Sequence, residues 1–307
     1  MSQVIVETKN LCKQYGSQVV LDNCNFRLEQ GKIYGLIGRN GAGKTTFMRL
    51  LSGLDFPTSG SVSLFGSRNE RELEYARHRM GSLIEMPGLV NGMTAKENMH
   101  YQCLMRGMTD EEEEDELLDK VGLGNTGKKK VKNFSLGMRQ RLGIAITLLG
   151  NPEFIMLDEP INGLDPEGVV EVRQLLKELQ EQEKKTILIS SHNLPELYQV
   201  ATDYIFLHEG VVKQVISHEE LDEKCRCYIA LESTNVSQLT RVLEEKLHTS
   251  DFVVMPDYSV RLYAYLDDRK QLGQCLYDNQ VVVTGMEVCE HTLEEYFIDT
   301  IGGEKNV

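Results

Sequence analysis

Gly38-Arg39-Asn40-Gly41-Ala42-Gly43-Lys44-Thr45 is the stretch on which the reading of this chain turns. It sets glycine, four free residues, glycine, lysine and a hydroxyl residue in that order, with every fixed position of a phosphate-binding loop filled. Glycines let the backbone curl so that successive N–H groups converge on one anion, and a helix starting near Lys44 aims the positive end of its dipole at the same point. Lys44 is then placed to reach the β- and γ-phosphates of a nucleoside triphosphate, and the Thr45 hydroxyl to hold Mg²⁺. Arg39, Asn40, Gly41, Ala42 and Thr46 join Gly38 and Gly43 as nucleotide-contacting positions. A chance glycine-rich turn has no required surroundings. Here the apolar run Lys32-Ile33-Tyr34-Gly35-Leu36-Ile37 comes before the loop, and a helix carrying Phe47, Leu50 and Leu51 on one side comes after it.

Far along the chain, Phe154-Ile155-Met156-Leu157 is apolar without alternation, as a parallel strand covered on both faces must be. Asp158 and Glu159 close it. An aspartate at that end is suited to anchor Mg²⁺, directly or through water, and Glu159 to polarise the attacking water as general base. Residues 168–183 then read as a helix with Val169, Val172, Leu175, Leu176 and Leu179 on one side, and Thr186-Ile187-Leu188-Ile189-Ser190 as the next buried strand. Strand, helix and strand in that order predict a parallel sheet with right-handed crossovers. His192 falls where this strand ends, at the edge where such sheets bind ligands, and its imidazole is suited to bridge the γ-phosphate and Glu159. The other six histidines read as structural.

Between these segments lie Asn133-Phe134-Ser135-Leu136-Gly137-Met138-Arg139-Gln140-Arg141, then Ile161-Asn162-Gly163-Leu164-Asp165-Pro166 and Ser190-Ser191-His192. With the loop and the acidic strand, these motifs in this order resemble the nucleotide-binding subunits of ATP-binding cassette transporters, over residues 4–220. The resemblance implies an α/β P-loop NTPase cassette with a mixed sheet core and an α-helical insertion subdomain at about 86–150. It implies ATP and Mg²⁺ as ligands, Tyr15 stacked on the adenine, and Ser135 and Gly137 closing over the γ-phosphate of an opposite subunit. That partner is a second copy or a paired second cassette, with Asp165 at the seam. Hydroxyl and amide at a helix N-terminus again make an anion site. Two departures stand out. The family's Leu-Ser-Gly-Gly-Gln reads Phe134-Ser135-Leu136-Gly137-Met138, and Glu85 occupies the place of a glutamine, which adds a carboxylate to the Mg²⁺-binding candidates.

Ile84-Glu85-Met86-Pro87, followed by Thr94-Ala95-Lys96-Glu97-Asn98, is similar to the cassettes of bacitracin-resistance and lantibiotic self-protection exporters. That similarity implies a separate integral-membrane permease docked near Glu85 to Asn98, removal of a peptide antibiotic from the membrane, and a cytoplasmic location, peripheral on the inner face of the cell membrane.

The bulk properties agree. At 307 residues there is room for a large domain, 1–220, and a small accessory one, 221–307. A net charge of -14 argues against a nucleic-acid surface. No apolar run approaches the length of a membrane span, and the N-terminus lacks the pattern of a secretory signal. Seven scattered cysteines read as reduced thiols, and Cys225 and Cys227 are too close for the usual zinc pairs. A cassette acting on ribosomes or nucleic acid is the alternative; it would call for two cassettes in one chain, a long coiled coil or a basic surface. A GTPase would need Asn-Lys-x-Asp, which does not occur. Thr109-Asp110-Glu111-Glu112 has capping-box spacing. Beyond Glu219 the pattern predicts strands at 227–231, 252–255, 260–266 and 281–288, helices at 236–247 and 269–277, and a closing helix at 293–301. That β-α-β-β-α-β order predicts a small split βαβ domain of α+β type.

Overall fold

A computed structural model describes residues 3–108, 111–289 and 292–302. The capping box rests on Thr109 and Asp110, which lie outside the described residues, as does His291. Two compact units emerge. The first runs to His218 and takes in the described residues from Thr300; the second spans Glu219–Asp299. The boundary thus falls slightly before the expected 220, because the His218 amide donates to Thr202 O and stays with the first unit. Thr300, Ile301 and Gly302, the last described residues, also group with the first unit.

The chain opens with the hairpin β1 (Val4–Tyr15) and β2 (Gln18–Glu29), then β3 (Ile33–Ile37), α1 (Lys44–Ser52), β4 (Ser59–Leu64), α2 (Glu70–Arg77) and β5 (Met80–Leu83). Helices α3 (Ala95–Met105), α4 (Glu111–Lys120) and α5 (Leu136–Leu148) form the helical insertion. The chain returns through β6 (Phe154–Asp158), α6 (Pro166–Glu181), β7 (Thr186–Ser191), α7 (Leu194–Tyr198), β8 (Asp203–His208) and β9 (Val211–Ser217).

The central sheet has the order β5-β6-β7-β3-β8-β9. Every residue of β3, β6 and β7 is buried, which is why their sequences show no polar alternation. All neighbours are parallel except β8 and β9, so the sheet is mixed as expected. A second, antiparallel sheet has the order β2-β1-β4. Ladders from both sides hold β1 extended through its polar residues, with bulges that break any simple alternation. Phe47, Met48 and Leu51 of α1 pack in one core with Leu11, Leu21, Leu28, Phe154, Met156 and Leu188, so the helix behind the loop is anchored against both sheets.

The second unit contains the remainder of α8 (His218–Lys224), β10 (Tyr228–Ser233), α9 (Val236–Glu245), β11 (Phe252–Val254), β12 (Val260–Leu262), α10 (Arg269–Asp278) and β13 (Val283–Cys289). Its sheet is antiparallel in the order β11-β12-β10-β13, a split βαβ arrangement. Ile229, Leu231, Leu239, Leu243, Leu262 and Leu272 form its core. Strand β12 stops short of the expected Leu266; Tyr265, at φ 62, has left the extended region. Helix α11 (Leu293–Gly302) closes the described chain.

Candidate active site

The loop after β3 curls through two left-handed glycines, Gly41 at φ 83 and Gly43 at φ 104. A Cβ at Gly43 would lie 2.8 Å from Leu21 Cδ2, and one at Gly38 would lie 2.5 Å from Leu207 O, so strand packing leaves no room for a side chain at either. No side chain caps α1, which leaves its first N–H groups for an external anion. A cavity of about 460 Å³ opens over the loop, lined from Arg39 through Thr46 and by Glu159, Asn162 and His192.

Lys44 is only 7% exposed. Its ammonium donates to Gly38 O at 2.7 Å and lies 3.4 Å from Glu159 Oε1. Thr45 Oγ1 donates to Asp158 Oδ2 at 2.8 Å across the loop–strand gap. One hydroxyl and one buried carboxylate are hard oxygen donors of the kind Mg²⁺ selects, beside a lysine and amides suited to phosphate; this set fits a magnesium-bound triphosphate. Glu159 has φ 50, a costly conformation for a side-chain-bearing residue, held where its amide donates to Ser190 Oγ at 2.9 Å. His192 Nδ1 meets Glu159 Oε2 at 2.9 Å. Burial raises the Glu196 carboxyl on α7 above its ordinary range, with Arg173 and His192 opposing and Glu159 adding to the rise.

Ser190, quoted above only within a strand and a motif, has a role of its own that the sequence did not give. Its hydroxyl donates to Asp158 Oδ1 at 2.5 Å and accepts from the Glu159 amide, so it ties both acids to β7. The available signal was a hydroxyl at the end of an otherwise apolar strand.

Other expected residues stand apart from this cavity. Glu85, at φ 64 and largely exposed, lies 3.6 Å from Arg49 Nη1 and lines a neighbouring cavity of about 450 Å³ with Asp158, Glu159 and Leu136. Ser135 caps α5, accepting from the Met138 amide at 3.2 Å, and Gly137 follows in its first turn. Neither lines the loop cavity of its own chain. Ser135→Ala is expected to cost about 1 kcal/mol of stability through the lost cap, read as a lower urea midpoint at unchanged m-value. Asp165 caps α6 through the Gly168 amide at 3.2 Å. Tyr15 does not line the cavity, but Gln18, paired with it across the hairpin, does.

The family model described as ABC transporter matches residues 21–162. The bacitracin transport ATP-binding protein BcrA of Bacillus licheniformis is 39% identical over 299 residues, which are 97% of this chain and 98% of that protein. This chain belongs to the ABC transporter family. The lantibiotic transport ATP-binding protein SrtF of Streptococcus pyogenes is 44% identical over 223 residues, 71% of this chain and 95% of that one. Among solved structures, the dimeric post-hydrolysis state of the ATP-binding cassette MJ0796, bound to ADP and Pi, superposes with TM-score 0.63 at 27% identity, covering 70% of this chain and 99% of that one. As an ABC cassette the chain binds and hydrolyses ATP. Its likeness to BcrA runs through both units, whereas the whole of the MJ0796 cassette matches only part of this chain. Among the described residues no helix is long and apolar enough to cross a membrane.

Proposed function

We propose that this chain drives export of a peptide antibiotic or similar amphipathic substrate through a separate integral-membrane permease, acting at the inner face of the membrane as a homodimer or with a paired cassette. The observation that carries the substrate class is the near-full-length likeness to a bacitracin transport ATP-binding protein, with the lantibiotic relative in support. No observation favours a ribosome or nucleic-acid target. Met86 and Val90, both exposed within the 85–98 segment, support the docking of the permease there.

The chemistry follows from the site. The Lys44 ammonium donates to Gly38 O and pairs with Glu159. The triphosphate replaces these partners, with the loop amides around its β- and γ-phosphates. Thr45 and Asp158 would hold Mg²⁺, which would supply charge neutralisation to the phosphates. Glu159, freed from Lys44, takes a proton from the attacking water. His192 steadies the other Glu159 oxygen and has its second ring nitrogen available to the γ-phosphate. Ser135 and Gly137, outside their own chain's cavity, serve the nucleotide of the partner, in a head-to-tail pair with two-fold symmetry. Asp165 lies at the seam, and Tyr15 stacks on the adenine.

Glu85, 3.6 Å from Arg49 Nη1, would add a further carboxylate to the hold on Mg²⁺. Glu85→Gln is expected to raise the Mg²⁺ concentration for half-maximal hydrolysis about tenfold; an unchanged rate and Mg²⁺ dependence removes any special role. Isolation of the chain from its native membrane in mild detergent tests the whole reading. A multi-span protein should accompany it, and recovery of the chain alone in the soluble fraction contradicts the assignment.

A further inference from the structure

Tyr15 ends β1 and pairs with Gln18 across the two-residue turn Gly16-Ser17, and Gln18 lines the cavity over the phosphate loop. Tyr15 is therefore the cross-strand neighbour of a residue that lines the cavity. Its hydroxyl is engaged, donating to Asp55 Oδ2. Asp55 is fixed in turn: Lys13 Nζ donates to its Oδ1 at 2.6 Å, and the Phe56 amide donates to the same oxygen at 2.7 Å. Lys13 also donates to Phe56 O at 2.8 Å. The Lys13 and Asp55 side chains are 11% and 20% exposed, so this is no loose surface pair. Hydrogen bonds from Lys13 and then Tyr15 hold the Asp55 carboxyl down to about 2, so it is ionised throughout the neutral range. The Lys13 ammonium further lies 4.7 Å from the centroid of the Tyr15 ring. One face of the ring is thus occupied by a cation, while the residue as a whole remains 45% exposed.

An aromatic side chain at the end of a hairpin ordinarily moves among staggered rotamers, and freezing it on binding reduces affinity. Here the hydroxyl, one ring face and the backbone register are all fixed by the protein's own contacts. We propose that Asp55 and Lys13 are positioning residues, locking the Tyr15 ring as a preformed platform for the nucleotide base and so setting nucleotide affinity without a part in phosphate cleavage. This rests on the reading of Tyr15 as the base-stacking residue. No contact here distinguishes one base from another, and every base offers a π face, so the platform serves affinity rather than base selection.

The test uses the full-length chain and two probes: ATP, which carries a base, and inorganic tripolyphosphate, which does not. Affinities come from equilibrium dialysis, with kcat and KM for ATP alongside. Tyr15→Ala is expected to weaken ATP about tenfold and leave tripolyphosphate unchanged. Asp55→Ala should weaken ATP about threefold, raising KM with kcat unchanged. Tyr15→Phe removes one oxygen and cuts the same hydrogen bond from its other end, so it should match Asp55→Ala even if that variant folds poorly. In the Tyr15→Ala background, Asp55→Ala should have no further effect. The proposal is overturned if the Asp55→Ala effect persists in that background, if it extends to tripolyphosphate, or if Asp55→Ala and Tyr15→Phe both bind ATP as the unmutated chain does. If Tyr15→Ala itself binds ATP normally, the base-stacking reading falls together with the proposal, while the phosphate-loop assignment stands.

Discussion

Glu159→Gln is expected to bind MgATP as tightly as the unmutated chain and to release phosphate about 10²- to 10⁴-fold more slowly, the span a positioned general base contributes. Glutamine keeps the shape and still offers an oxygen to His192, but it has no carboxylate to take the proton from water. The fixed φ of 50 and the Glu159 amide bond to Ser190 are backbone features, which the substitution leaves in place. The loss therefore falls on the chemical step and not on folding. Arrested before cleavage, two chains should remain closed around two nucleotides, so light scattering should show an ATP-dependent dimer that ADP does not produce. A variant that hydrolyses at the normal rate removes Glu159 from the role of base. One that stays monomeric at saturating MgATP denies the composite site.

Lys44→Ala acts on the other side of the same ion pair. Its ammonium is the cation buried at the loop, and alanine leaves a triphosphate facing amides alone. Truncating one partner of a buried, hydrogen-bonded charge pair costs about 2–5 kcal/mol, so the dissociation constant for ATP should rise about thirtyfold or more. Because Lys44 also bonds Gly38 O, a small loss of thermal stability is expected as well. Equilibrium dialysis against labelled ATP reads the first effect directly. Near-normal affinity would mean that the amides and Mg²⁺ carry the phosphates unaided.

The parts of the site that could be read from the sequence are those whose chemistry is written locally. The loop declares itself in consecutive residues, and Asp158 and Glu159 are marked by the apolar run they terminate. His192 is marked in the same way by β7, although the strand itself ends one residue earlier, at Ser191. What escaped depends on register between distant strands. Ser190 matters because β6 and β7 place Asp158 and Ser190 side by side, a pairing that no local pattern encodes. Lys13 and Asp55 meet across the antiparallel sheet and the loop before β4, 42 residues apart. The same holds for the fold. Buried parallel strands were legible because both faces demand apolar residues. The long β1 and β2 were not, since half their residues face outward and bulges interrupt the alternation. Glu85 was noticed as a departure from the family, but its approach to Arg49 on α1 depends on tertiary packing.

The central claim, that each site is built from the loop of one chain and Ser135 and Gly137 of another, is tested most directly by mixing two disabled variants. Lys44→Ala lacks a working loop. Gly137→Asp sets a carboxylate against the partner's γ-phosphate, and the nearest atom to its new Cβ would be Leu164 Cδ2 at 3.7 Å, so folding is not obstructed. Each variant alone should be inactive, yet a mixed pair contains one intact site, and an equal mixture should recover roughly a quarter of the unmutated ATPase rate if chains pair at random. Mixed dimers that form with ATP and stay as inactive as the separate variants would contradict it.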